Sequence, residues 1–134
     1  MKAALVSLTV ALALLGSLVP AFAADFKDKV EVEVESVGLH PGMDPGMYVC
    51  AAGHLHIKGT VQNLAGIPLG KIKVAGKAFG PSDNLLGTAT FSTKQATLGP
   101  NEKAEINLEF LTVGGPLIHG VKRHQIEVVE APQK

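Results

Sequence analysis

The chain has 134 residues, 46% of them apolar and 18% charged, with 12 Lys+Arg against 12 Asp+Glu. That apolar content excludes a disordered chain. The balanced charge, with no basic block, excludes an electrostatic footprint for nucleic acid, and one cysteine excludes an internal disulfide.

Residues 1–23 carry the marks of a cleavable bacterial-type secretory signal peptide. Lys2 supplies the positive start, residues 5–15 form an apolar run, and Gly16, Ser17 and Pro20 break it. Ala21-Phe22-Ala23 is an A-x-A cleavage site, with no cysteine nearby to make a lipoprotein. Cleavage leaves about 111 residues, residues 24–134, which suits a single domain of net charge about −1. No later apolar run reaches about 18 residues, so no membrane span is expected after cleavage. The mature chain is expected in the periplasm or secreted.

Period-2 alternation then dominates. Residues 29–35 place Val30, Val32 and Val34 on one face and Glu31, Glu33 and Glu35 on the other. Residues 54–62 turn Leu55, Ile57 and Val61 inward and His54, His56, Lys58 and Thr60 outward. Residues 70–79 set Ile72, Val74 and Ala78 against Lys71, Lys73 and Lys77, and residues 85–93 form a Thr- and Ala-rich strand. Residues 104–112 put Ala104, Ile106, Leu108 and Phe110 opposite Glu105, Asn107 and Glu109. Residues 121–130 turn Ile126 and Val128 inward, and residues 96–98 suggest a short seventh strand. Gly- and Pro-rich turns at 63–68, 80–84, 98–101 and 114–116 separate these runs. The pattern predicts an all-β, immunoglobulin-like antiparallel sandwich of about seven strands. Only residues 38–53, GLHPGMDPGMYVCAAG, lack alternation, and they are expected to form one long irregular loop.

From Gly59 onward the chain resembles the FxLYD-type extracytoplasmic domains. Gly59-Thr60-Val61-Gln62-Asn63 is similar to that family's G-x-V-x-N strand end, and Pro68-Leu69 follows before the next strand. Residues 79–88, FGPSDNLLGT, are similar to its hairpin, and Leu98-Gly99-Pro100-Asn101-Glu102 to its L-x-P-G-E turn. The namesake Phe-x-Leu-Tyr-Asp string is absent: Gly80-Pro81-Ser82 separates Phe79 from Asp83, and Asn101 replaces the usual glycine. The resemblance covers residues 59–110. It implies a small immunoglobulin-like sandwich acting as a binding or accessory module, without an active site.

The residues that could carry chemistry gather in the irregular stretch. His40, Met43, Met47, Cys50, His54 and His56 place six soft or borderline ligands within 17 residues. Thioether, thiolate and imidazole together suit copper better than magnesium or calcium. His54 and His56, two apart on a strand, leave the same face about 7 Å apart at the backbone. The competing reading buries the methionines and Cys50 and leaves both histidines solvated. His119 falls in a turn and His124 shares the parity of Ile126 and Val128, which makes both weaker ligand candidates. An odd cysteine in an exported chain can also link two copies through Cys50.

Enzyme signatures are missing: no G-x-S-x-G, H-E-x-x-H or C-x-x-C occurs, and Gly66-Ile67-Pro68-Leu69-Gly70-Lys71 is one residue short of a P-loop. The Glu31/Glu33/Glu35 and Lys71/Lys73/Lys77 stripes read as solvated faces. The expectation is therefore a non-catalytic exported sandwich that contacts another exported protein. The alternative is a copper carrier or scavenger built on residues 40–56.

Overall fold

The computed structural model describes residues 25–36, 38 and 43–134. The signal peptide and its cleavage site, and His40 of the ligand cluster, lie outside the described residues.

Seven strands form among the described residues: β1 Val30–Val34, β2 Met47–Val49, β3 His54–Asn63, β4 Lys73–Phe79, β5 Leu85–Ser92, β6 Lys103–Gly114 and β7 Arg123–Glu130. All pairings are antiparallel. One sheet is centred on β3. β6 pairs with one of its edges, while β1 and β2 share the other, β1 against Gly59–Asn63 and β2 against Leu55–Ile57. The second sheet has the order β5-β4-β7. Pairing β3 with β6 in one sheet and β4 with β7 in the other is the Greek-key arrangement of immunoglobulin-type sandwiches.

Alternation decides what lies between the sheets. Leu55, Ile57 and Val61 of β3, Ile106, Leu108 and Phe110 of β6, and Val74 and Ala78 of β4 are all 0% exposed. The outer faces keep the polar half of each strand. The glutamates of β1 belong to the first sheet and Lys73 and Lys77 of β4 to the second, so the two stripes do not face one another along a shared strand pair.

Two expectations change. The stretch 38–53 is not one loop, because Met47–Val49 pairs with β3. Three residues carry too little periodicity to register as a strand; the β3 edge left free beyond β1 supplies the hydrogen bonds that make one. The short strand expected at 96–98 reduces to a single bridge between Leu98 and Leu69.

Asn63 closes the end of β3. It is fully buried, and its side-chain amide donates to Ile67 O at 2.8 Å and Leu98 O at 2.9 Å while its Oδ1 accepts from Ala65 N at 2.8 Å. One side chain thus ties β3 to the turn after it and to the segment before β6.

Phe110→Ala removes the largest fully buried side chain and is expected to destabilise the fold by about 3–5 kcal/mol in chemical denaturation. Half-buried His124 titrates below its ordinary value because burial disfavours its charged form more than Asp44 supports it. The unfolded chain therefore takes up this proton first on acidification. Stability from this residue is present above pH about 6.5 and declines below it. Denaturation midpoints followed downward from pH 7 are expected to fall less steeply in His124→Gln than in the parent chain.

Candidate metal centre

The β2–β3 connection is a tight hairpin. Gly53 N donates to Cys50 O at 2.9 Å and Cys50 N donates to His54 O at 3.1 Å. Only Ala51, Ala52 and Gly53 separate the paired residues, and Gly53 takes the left-handed conformation with φ of 84°. This is the three-residue hairpin loop in which a glycine closes the turn at low steric cost. The spacing Cys-x-x-x-His therefore makes Cys50 and His54 cross-strand neighbours.

On the other edge of β3, His56 is in register with Glu109 and Lys58 with Asn107. The register shifts between His54 and Leu55, so that Leu55 faces Phe110 and His54 faces Gly114. Both imidazoles reach diagonally to β6. His54 Nδ1 lies 3.0 Å from Glu109 Oε2, and His56 Nδ1 lies 2.7 Å from Asn107 Oδ1. Cys50 Sγ points at the same Glu109 Oε2 from 3.9 Å.

These contacts fix the His56 tautomer. Asn107 donates through Nδ2 to the Tyr48 hydroxyl at 2.8 Å, which leaves its Oδ1 to accept. An amide oxygen only accepts, so His56 Nδ1 carries the hydrogen. Tyr48 also stacks on the His56 ring, with centroids 4.6 Å apart and planes 24° apart. In the neutral ring His56 Nε2 is then left with a bare lone pair. It is buried, has no hydrogen-bond partner, and faces Glu109 Oε2 from 3.5 Å.

While the ring is neutral these two acceptors repel; protonation of His56 turns the 3.5 Å contact into an ion pair, and a metal ion between them would serve the same end. Cys50, His56 and Glu109 each bring one ligand atom, and the three atoms lie within 4.8 Å of one another. His56 is anchored at Nδ1 by Asn107, which turns Nε2 toward Cys50 and Glu109; an imidazole held at one nitrogen in this way is the usual support for metal binding at the other. His54 stands behind Glu109: its hydrogen bond is the main reason that carboxyl titrates below the ordinary glutamate range.

The structure gathers Cys50, His54 and His56 around Glu109 and sets the methionines elsewhere. Met47 alternates with Tyr48 and points to the opposite face of β2, where it is 4% exposed in the core. Half-buried Met43 packs against the core and lines a depression with Met47, Asp44, Ile118 and His119. His119 therefore groups with the methionines, not with the cysteine. Glu109, Asn107 and Tyr48 are the members that the sequence did not single out. β6 parity placed Glu109 and Asn107 on an outer face; only the β3–β6 register shows that this face is the one bearing the histidines.

No family model and no curated protein matches the chain. Among solved structures, the chain is similar to a DUF1425 family member from Shewanella sp. pv-4, at 14% identity over 78% of this chain and 99% of that one, with a TM-score of 0.41. A likeness at that score carries no argument about function.

Nitrogen NMR of the metal-free chain is expected to show His56 protonated at Nδ1. Asn107→Leu, which removes the acceptor, is expected to give a mixture of tautomers. A parent His56 protonated at Nε2 would contradict this hydrogen-bond assignment.

Proposed function

We propose that this chain is an exported, non-catalytic sandwich that binds a transition-metal ion on the outer face of its first sheet. One observation carries the reading: the buried Nε2 of His56, without a hydrogen bond and 3.5 Å from the Glu109 carboxylate, with the Cys50 thiol beside that carboxylate. Thiolate, imidazole and carboxylate together are a borderline donor set, suited to first-row metals more than to magnesium or calcium. Copper remains within the proposal through Cys50 and the imidazoles, although Met43 and Met47 no longer support it. The signal-like start of the chain favours a periplasmic or secreted site of action, and the FxLYD-like residues 59–110 favour an accessory role there.

Contact with another exported protein is the second reading. Leu111 at 67% and Leu85 at 54% exposure are large apolar side chains left in solvent. Such residues are common singly on soluble proteins, so they weigh less than the orphaned imidazole nitrogen.

The test is a titration of the reduced, signal-free chain with Zn(II), Ni(II) and Cu(I) under anaerobic conditions. One equivalent of an ion is expected to bind, and Cys50→Ser and His56→Ala are each expected to weaken binding at least tenfold. Met43→Leu is expected to leave it within twofold. Failure of every ion to bind the folded parent would remove the metal reading and leave the partner-binding one.

A further inference from the structure

The outer-face site also bears on which ion it selects, an inference that rests on the metal-binding reading. We infer that the site takes a divalent ion of the zinc and cobalt type, held by Cys50, His56 and Glu109, with a fourth position open to solvent or an incoming ligand.

The donor set is the first argument. Monovalent copper prefers thiolate and thioether donors. Strand alternation has turned Met47 into the core, and Met43 packs against that core. In their place the fold supplies a carboxylate, from a strand 59 residues beyond Cys50.

Charge is the second. On binding, the cysteine must lose its proton. Thiolate and carboxylate then bring two negative charges to a partly buried site. A divalent ion neutralises both, whereas a monovalent ion leaves a net negative charge on the ligand set.

Geometry is the third. Zinc sits about 2.3 Å from sulfur and about 2.0–2.2 Å from nitrogen or oxygen, so neighbouring ligand atoms of a tetrahedron lie about 3.3–3.6 Å apart. His56 Nε2 and Glu109 Oε2 are already 3.5 Å apart, and Cys50 Sγ is 3.9 Å from the same oxygen. The three ligand atoms lie within 4.8 Å of one another, so closing the triangle requires the Cys50 side chain to move inward.

The fourth position follows from exposure. Glu109 and His54 have side chains 43% and 30% exposed, so the ion meets solvent on that side. His54 Nδ1 is committed to Glu109, which makes His54 a positioning residue for the carboxylate. Three protein ligands with an open position describe a centre that exchanges ligands, in contrast to a closed four-ligand structural site.

The experiment is a Co(II) titration of the reduced, signal-free chain, read by absorption, followed by displacement with Zn(II) and a separate Cu(I) competition. The expected result is an intense tetrahedral Co(II) spectrum with a thiolate charge-transfer band. Zn(II) should displace it, and added imidazole should shift it. Cys50→Ser should abolish the charge-transfer band, Glu109→Gln should weaken Co(II) at least tenfold, and His54→Gln should weaken it less. Circular dichroism of each variant separates a lost site from a lost fold. Tight Cu(I) binding that ignores Glu109→Gln, with weak Co(II) and Zn(II), would overturn the divalent inference and keep the metal reading. Absence of binding by all three ions would overturn both. A tetrahedral spectrum that imidazole leaves unchanged would overturn the open position.

Discussion

β3 is hydrogen-bonded along both edges, and the rest of the molecule is arranged around that constraint. A strand paired on both sides cannot slip by one residue without turning its whole apolar row into water. Leu55, Ile57 and Val61 hold the inner row, so His54 and His56 have no freedom about which face they occupy. β6 on one edge brings carboxylate and amide to the histidines, and β2 on the other brings cysteine and tyrosine. The site is thus a by-product of the same alternation that builds the core.

The polar groups on that face form a chain of fixed orientation. Tyr48 holds Asn107, Asn107 holds the hydrogen on His56 Nδ1, and the far nitrogen of the ring is left exposed to Glu109. Each member of such a network restricts its neighbour. Aromatic stacking of Tyr48 on the ring adds a second restraint on the same imidazole. Binding groups held this way lose little conformational entropy when a ligand arrives.

Much of this was legible in the sequence, because period-2 patterning is local. Six of the seven strands, the inward residues and the shared face of His54 and His56 all follow from alternation. The hairpin that joins Cys50 to His54 was not legible, because it falls inside the stretch 38–53 that lacks alternation and was expected to be one loop. Glu109 escaped because its contact is non-local. Glu109 lies 53 residues beyond His56, and no spacing rule links them; their meeting depends on which strand occupies the free edge of β3. Met47 escaped for the opposite reason. Its strand is too short to show a period, so its burial stood only as the competing reading, and its alternation with Tyr48 had no signal in the sequence.

The edge that β1 and β2 share has a further consequence. The handover between them occurs at Lys58, whose carbonyl accepts from Glu35 N and whose amide donates to Gly46 O. Each strand is therefore anchored to β3 independently, on either side of one residue. Fraying of β1 from its end of β3 leaves the hydrogen bonds of β2 in place, and with them the hairpin that carries Cys50 to the histidine face.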